Sequence, residues 1–288
     1  MKRFTYVEMK DYTSFKTGGR ATEMIMPASA WELQGIIMEL TEQNMPYHVI
    51  GNGTNTLVTD PGYHGTIIKM DEAMSEIKVK GDRLICQAGA LMRDVAQVAL
   101  ENELTGFEFA SGIPGSIGGA VFMNAGAYDG EMKDIVDTVS LVSPDGEYMR
   151  SMYGDKLDFG YRYSKVQETK EIITAVTLKL KKGDRKEIEE KMKELAEQRA
   201  EKQPTEPSAG SFFKRPEGHF AGKLIDEAGL RGVSVGGAQV SEKHCGFIVN
   251  KGGATTSDII ELMHLVQNTV EDKFGVKLEP EVRIIGEK

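Results

Sequence analysis

Gly51-Asn-Gly-Thr-Asn-Thr56 follows the short apolar run Tyr47-His-Val-Ile50, as a nucleotide-binding glycine loop follows a strand. The sixth position is Thr56, so the third glycine of a dinucleotide fingerprint is missing, and no Gly-Lys-Ser/Thr follows to make a P-loop. A second stretch, GIPGSIGGAVFMNAGAYDG at 112–130, holds six glycines and no charge before Asp129. Glycine lets backbone N–H groups approach a ligand that a Cβ would hold off. Successive N–H groups in such turns form anion-binding nests. Gly115–Gly119 leads into Ala120-Val-Phe-Met123, a helical continuation whose N-terminus would add its dipole. Two such loops without a P-loop lysine suit a diphosphate held by neutral donors. The alternative is a pair of tight turns in a β-rich fold.

Outward from the first loop, Thr22–Met26 reads as a strand stopped by Pro27, and Ser29-Ala-Trp-Glu32 as a capping box. Leu33, Ile36, Ile37 and Leu40 then keep helical spacing, and Tyr47–Ile50 and Thr66–Met70 read as strands. This first segment, 1–72, is β-α-β. The second, 73–202, opens with strands 76–80 and 83–88 around the tight turn Gly81-Asp82, followed by a helix at 91–103. Strands 135–142 and 147–151 flank the turn Ser-Pro-Asp-Gly, and 172–180 is a strand. A charged helix at 185–202 carries Ile188, Met192, Leu195 and Ala196 on one face, and its charges read as a solvated surface. Gln203-Pro-Thr-Glu-Pro-Ser208 is a linker opening the third segment, 203–288. That segment holds a helix at 219–228 ended by Gly229, a strand at 246–249, a helix at 257–274 and a closing strand at 281–285. The whole is an α+β chain of three lobes.

The 288 residues suffice for more than one core, and 40% apolar with 27% charged residues is ordinary for a soluble globular protein. A net charge of −9 argues against a nucleic-acid or anionic-membrane partner. Cys86 and Cys245 lie far apart and lack metal-ligand spacing, so they read as reduced, buried thiols of a cytosolic protein. The first residues show no signal-peptide core, and no run reaches the roughly 20 apolar residues of a membrane span. The 15 methionines read as core filling.

Four further stretches bear on chemistry. Asp158-Phe-Gly160 has no kinase context, lacking a His-Arg-Asp loop. Behind it, Tyr161-Arg162-Tyr163-Ser164 sets an arginine among aromatics, either an anion clamp or a cation–π contact. In Ser208-Ala-Gly-Ser-Phe-Phe-Lys-Arg-Pro216, Ser211 stands outside any Gly-x-Ser-x-Gly elbow. Its phenylalanines could exclude water while Lys202, Lys214 or Arg215 polarise the hydroxyl; otherwise it is a loop serine beside buried rings. In Leu278-Glu-Pro-Glu-Val-Arg-Ile-Ile285, strand alternation puts Glu281 and Arg283 on one face, unless Glu281 is simply an exposed carboxylate. His244 fits no metal motif and reads as structural.

Thr13-Ser-Phe-Lys-Thr-Gly-Gly19, GNGTNTLV, GIPGSIGGAVFMNAGAYDGE, FGYRYS, SAGSFFKRP and LEPEVR stand here in one order. Together they resemble the UDP-N-acetylenolpyruvoylglucosamine reductase (UDP-N-acetylmuramate dehydrogenase) family over nearly the whole chain. The short connection after Tyr163 resembles its compact type II subtype. The resemblance implies an FAD-binding fold of the PCMH and vanillyl-alcohol-oxidase type in two lobes, with a C-terminal α+β substrate domain and a last strand returning toward the FAD site. It implies NADPH as reductant, FAD held non-covalently, a UDP-sugar enolpyruvate as substrate, no metal and a cytoplasmic location in cell-wall precursor synthesis. The catalytic residues it implies are Arg162 at the substrate carboxylate, Ser211 as proton donor to carbon, and Glu281 as a protonated hydrogen-bond donor. FAD would be held by Gly51, Asn52, Gly53, Thr54, Asn55 and Thr56, by Gly112, Pro114, Gly115, Ser116, Gly118 and Gly119, and by Ile173. Tyr128, Lys202 and Arg215 would line the substrate pocket; some members carry asparagine at the place of Arg215. Among the loop donors, Asn52, Thr54 and Asn55 are the first expected contacts.

Two other readings make distinct demands. A flavin oxidase of the same fold type would carry a histidine or cysteine for covalent attachment, and neither glycine loop contains one. A non-catalytic nucleotide sensor would tolerate loss of Ser211 or Glu281.

Overall fold

The computed structural model of the chain describes residues 1–287. The chain forms two compact units. Unit 1 comprises Met1–Phe4, Glu23–Asn52 and Gly65–Arg199; unit 2 comprises Thr5–Thr22, Gly53–His64 and Ala200–Lys288. The division falls inside the opening glycine loop, between Asn52 and Gly53.

Unit 1 is built on a five-stranded antiparallel sheet in the order Met149–Tyr153, Val136–Val142, Ile172–Lys179, Arg83–Gln87, Ile77–Lys80. The Lys80↔Arg83 pair confirms the two-residue turn, with Gly81 at φ +66. The second hairpin starts its return strand at Met149 rather than 147. The Glu147 N–H donates to Asp145 Oδ1 (3.0 Å) and the Tyr148 N–H to Ser143 Oγ (3.1 Å), which takes both N–H groups out of the ladder, although the Tyr148 carbonyl still accepts the Ser143 N–H (3.0 Å). Tyr47–Ile50 runs parallel to Tyr63–Lys69 with Ile50 opposite Lys69. The Ala30–Glu42 helix buries Leu33, Ile36, Ile37 and Leu40, as its spacing requires. Ser29 Oγ accepts the Glu32 N–H (3.1 Å), but the Glu32 carboxylate reaches one residue further back, to the Ala28 N–H (2.8 Å). Helix Arg185–Lys202 has a narrower apolar face than expected: Ile188 and Leu195 are buried, whereas Ala196 is exposed. Leu84, Cys86, Val95, Val139 and Val176 pack with the first helix into one core, and Met70, Met74, Met92 and Met132 fill it.

Unit 2 has its own core around Phe15, Leu57, Phe212, Val240, Ile248, Leu262 and Val266. A small sheet of Ser234–Val235, Ala238–Val240 and Ile248–Asn250 lies with helix Thr256–Phe274. That helix opens on a Thr255/Asp258 capping box and ends at Gly275 in a left-handed conformation. The strand expected at 246–249 begins instead at Ile248, because the Gly246 N–H donates to His244 Nδ1 (3.0 Å) and the Phe247 N–H to the His244 carbonyl (3.0 Å). The closing strand is Arg283–Ile285, paired in parallel with Thr56–Val58, the strand that leaves the opening loop. Glu281 stands outside it, since its N–H donates to the Phe212 carbonyl (2.8 Å); strand alternation therefore does not relate Glu281 to Arg283. Among the described residues, no helix is long and apolar enough to cross a membrane, and no group of His, Cys, Asp or Glu could hold a metal ion.

Candidate active site

In unit 1 the two glycine stretches meet. A Cβ on Gly51 would lie 2.1 Å from Ser116 Oγ, so glycine alone permits the approach. Asn52 Nδ2 donates to the Pro114 carbonyl at 2.6 Å, which ties one loop to the other and uses one of the two N–H donors of its amide. Ser116 is 2% exposed, and its hydroxyl has no hydrogen-bond partner among the described residues. The expected nest is partly spent. The Ile117 N–H donates to the Ala90 carbonyl (2.8 Å), the Gly118 N–H to that of Ala88 (3.0 Å), and a Cβ on Gly118 would sit 2.8 Å from Ala88 Cβ. Gly118 thus serves close packing, and the helix behind it, Ile117–Phe122, is short. Ile173 lies in the unit's core opposite Leu141, on the strand that packs against the short helix opened by the second glycine stretch.

A cation that motif reading passed over stands at the first loop. Lys69 Nζ donates to the Gly51 carbonyl (3.0 Å), and burial lowers its pKa. The available signal was a lysine ending an apolar strand, at the strand end where α/β sheets bind ligands. Seeing it required the parallel register of Ile50 with Lys69.

Unit 1 also holds Arg162, at φ +53, a left-handed conformation costly for a side-chain-bearing residue. Its turn is closed by paired backbone bonds between Gly160 and Tyr163 (3.1 and 3.2 Å). Gln167 Nε2 donates to the Arg162 carbonyl (3.0 Å) and to that of Phe122 (2.8 Å), which also accepts from Ser164 Oγ (2.8 Å). On the other side, buried Asn124 donates through Nδ2 to the Gly160 carbonyl (2.9 Å) and to Glu131 Oε2 (2.9 Å), and accepts the Lys133 N–H at Oδ1 (3.0 Å). Phe122 ends the helix that the second glycine stretch begins, so one short element joins the loop to the arginine's turn. The guanidinium also lies 5.1 Å from the Tyr161 ring centre. Lys133 holds the Glu131 carboxyl below its ordinary range, with Arg162 adding to the effect. Tyr128, at φ +50, donates its hydroxyl to the Leu195 carbonyl (3.2 Å). Asn124 and Gln167 carry no motif signal of their own.

Unit 2 takes the rest of the first loop. Gly53 is buried at φ +65, and a Cβ there would lie 2.0 Å from the Tyr12 carbonyl. Thr54 is half-buried, and Thr56 begins the strand paired with Arg283. Asn55 Nδ2 donates to the Glu281 carbonyl (3.2 Å), while its own carbonyl accepts the Arg283 N–H (3.0 Å). Asn55 therefore fixes the Glu281 segment, and one N–H of its amide, like one of Asn52, is engaged by the protein.

The Ser211 segment lies against the same stretch. The Lys214 N–H donates to the Glu279 carbonyl (2.8 Å), Phe213 bridges Pro280, and the Glu281 N–H reaches Phe212. Structure brings Ser211 and Glu281 onto neighbouring antiparallel backbones. Ser211 is exposed, and the rings after it do not shield it: Phe212 packs edge-on to Phe15 (6.2 Å) and against Phe213 (5.2 Å) inside the core. They anchor the serine's segment. Lys214 Nζ pairs with Glu279 (3.1 Å), the Arg215 guanidinium lies 4.7 Å from the Phe220 ring centre, and Lys202 is exposed at the end of its helix. His244 is the structural residue expected, accepting the Gly246 N–H and packing on Phe247, with its pKa lowered by burial. Both cysteines are buried and unpaired, and burial pushes the Cys86 thiol up to about 12.

Residues 202–285 match the sequence model of the UDP-N-acetylenolpyruvoylglucosamine reductase C-terminal domain, and residues 22–151 that of an FAD binding domain. The chain is 48% identical over 281 residues to the UDP-N-acetylenolpyruvoylglucosamine reductase of Caldanaerobacter subterraneus subsp. tengcongensis, covering 97% of this chain and 92% of the relative. It is 50% identical to the reductase of that name from Clostridium botulinum strain Hall, covering 97% and 91%. The crystal structure of UDP-N-acetylenolpyruvylglucosamine reductase from Thermus caldophilus matches with a TM-score of 0.85 at 37% identity, covering 98% of both chains. The α+β class is borne out, and the chain belongs to the UDP-N-acetylenolpyruvoylglucosamine reductase family.

Proposed function

We propose that Arg162, Ser211 and Glu281 carry the chemistry of the reaction this chain catalyses. That reaction is the NADPH-dependent, FAD-mediated reduction of UDP-N-acetylglucosamine enolpyruvate to UDP-N-acetylmuramate, in peptidoglycan precursor synthesis. The residues present fit the cofactor. The orphaned Ser116 hydroxyl, the Lys69 ammonium and the close approach at Gly51 make a donor-rich cradle that an FAD diphosphate would satisfy. Asn52 and Asn55 then serve as braces, and the second stretch contributes through Ser116 and its glycine backbone. We read the FAD-binding part as lobes 1–72 and 73–202 of the PCMH and vanillyl-alcohol-oxidase type, and 203–288 as the substrate-binding part.

FAD, when bound, supplies the hydride acceptor for NADPH and the hydride donor for the β-carbon of the enol ether. Hydride arrival at that carbon drives electron density toward the α-carbon and its carboxylate. The planar Arg162 fork binds that carboxylate in two-point fashion and stabilises the charge as it grows. Glu281, in its protonated form, donates a hydrogen bond to the same charge. The Ser211 hydroxyl gives its proton to the α-carbon. Pairing through Phe212 and Glu281 holds the donor segment and the acid segment in fixed register. Tyr128, Lys202 and Arg215 are assigned to the sugar-nucleotide portion. Nucleotide substrates suit a cytoplasmic enzyme, and a net charge of −9 argues against a nucleic-acid partner.

The observation that carries this reading is the left-handed Arg162 clamped between Asn124 and Gln167. Strain of that kind persists where the surrounding structure holds it for use. The test is an absorbance spectrum of the purified protein. A flavin band that bleaches with NADPH and recovers on adding the enolpyruvyl sugar nucleotide is expected. A colourless protein that takes up no FAD would overturn the reading.

A further inference from the structure

The charges of helix Arg185–Lys202 look like a solvated face, and most of them are: Lys186, Glu187, Glu190 and Lys193 are exposed. Arg199, in the last turn, is not. Its side chain folds down onto the start of the second glycine stretch, where a Cβ on Gly112 would lie 3.0 Å from Arg199 Cδ and 3.8 Å from Nε. Gly112 is thus the gap that lets a guanidinium lie along the loop. The ionisable group that bears on it is Tyr128, whose hydroxyl donates to the Leu195 carbonyl one turn back on the same helix. Among the described residues the Arg199 side chain makes no hydrogen bond and no ion pair. Burial pulls its pKa down, the mark of a cation removed from water without a counter-charge.

An arginine stays charged at any physiological pH, so an uncompensated one is costly to bury. Even two more exposed arginines of this chain meet carboxylates: Arg150 meets Glu171 at 2.6 Å and Arg231 meets Asp226 at 2.7 Å. The planar fork of guanidinium fits phosphate oxygens in two-point fashion, and the adjacent loop already presents the orphaned Ser116 hydroxyl. We propose that Arg199 is a diphosphate-binding residue, its missing counter-charge supplied by a ligand lying along residues 112–119. Within the flavin reductase reading, on which this rests, two ligands carry that chemistry: FAD and the UDP-sugar.

The test uses the holoenzyme as wild type, Arg199→Met and Arg199→Lys. FAD affinity is read from the fluorescence of flavin released on dilution. UDP, the probe for the second source, is titrated by its perturbation of the flavin spectrum. Arg199→Met should weaken one of the two by about tenfold or more, the worth of a charge-assisted hydrogen bond. Arg199→Lys should fall between, because it keeps the charge without the fork. Weakened FAD assigns the cofactor's diphosphate; weakened UDP with FAD retained assigns the substrate's. Unchanged affinity for both overturns the proposal. So does equal loss of both in the methionine and lysine variants, which would report a damaged fold. A wild-type chain that carries no FAD would instead sink the underlying functional reading.

Discussion

Gln167→Leu probes the arginine's support without touching the arginine. Leucine occupies similar space but donates to neither carbonyl. The Phe122 carbonyl keeps its bond from Ser164 Oγ, so its loss is partial, while that of Arg162 loses a donor outright. At about 1 kcal/mol per net hydrogen bond, the destabilisation comes to about 1–2 kcal/mol. The catalytic effect follows from the backbone. Left-handed geometry costs a non-glycine residue about 1–2 kcal/mol, so a turn that loses one of its clamps lets Arg162 relax toward φ < 0. A shift of about 1.4 kcal/mol is a factor of ten in population or rate. Anaerobic stopped-flow of the two half-reactions should show flavin bleaching by NADPH at the wild-type rate, and recovery by the enolpyruvyl substrate slowed about tenfold with a raised substrate KM. Equal slowing of both half-reactions, or normal recovery in a variant with the expected stability loss, would refute the idea that this clamp positions the arginine.

Three further outcomes are expected. Ser211→Ala should leave bleaching by NADPH intact and cripple recovery by the enolpyruvyl substrate; loss in both half-reactions would sink its assignment as proton donor. Gly51→Ala puts a methyl 2.1 Å from Ser116 Oγ, so that hydroxyl or the loop must shift and the purified variant should retain less FAD than wild type, measured by the ratio of flavin to protein absorbance. Asp258 accepts the N–H groups of Thr255 (2.9 Å) and Gly237 (3.2 Å), and the first of these chiefly holds its pKa below the ordinary value. Its stabilisation is complete above the unfolded carboxyl's pKa of about 3.9 and is lost as pH falls through the lowered native value. Asp258→Asn should therefore lower the melting temperature near neutrality and converge with wild type in acid; a constant gap at all pH values would contradict this.

Elements whose periodicity is local were legible in the sequence. Leu33, Ile36, Ile37 and Leu40 mark one helix face, and Gly81-Asp82 marks a two-residue turn, because each follows from a few consecutive residues. What escaped depended on which backbone reached a polar group first. Glu281 would have joined the closing strand had its N–H not been taken by Phe212. Ser211 would have been shielded by its phenylalanines had the core not claimed both rings. Lys69 sits beside Gly51 through a pairing of strands that no motif encodes.

The two glycine stretches make the same point at the level of single donors. Residue type nominated Asn52 and Asn55 as ligand contacts, and the fold engages one N–H of each amide to hold Pro114 and Glu281 in place. The Ser116 hydroxyl is the opposite case: it is nearly sealed from water, and the protein gives it nothing. Arg199 repeats that imbalance with a full charge against Gly112, at the other end of the same stretch. An unpaired hydroxyl and an unpaired guanidinium each cost free energy in the chain alone. That cost is recovered if one anionic ligand meets both. On that reading the second glycine stretch binds less through a nest of N–H groups than through two side chains the protein leaves unsatisfied, with Gly112 giving the arginine its place.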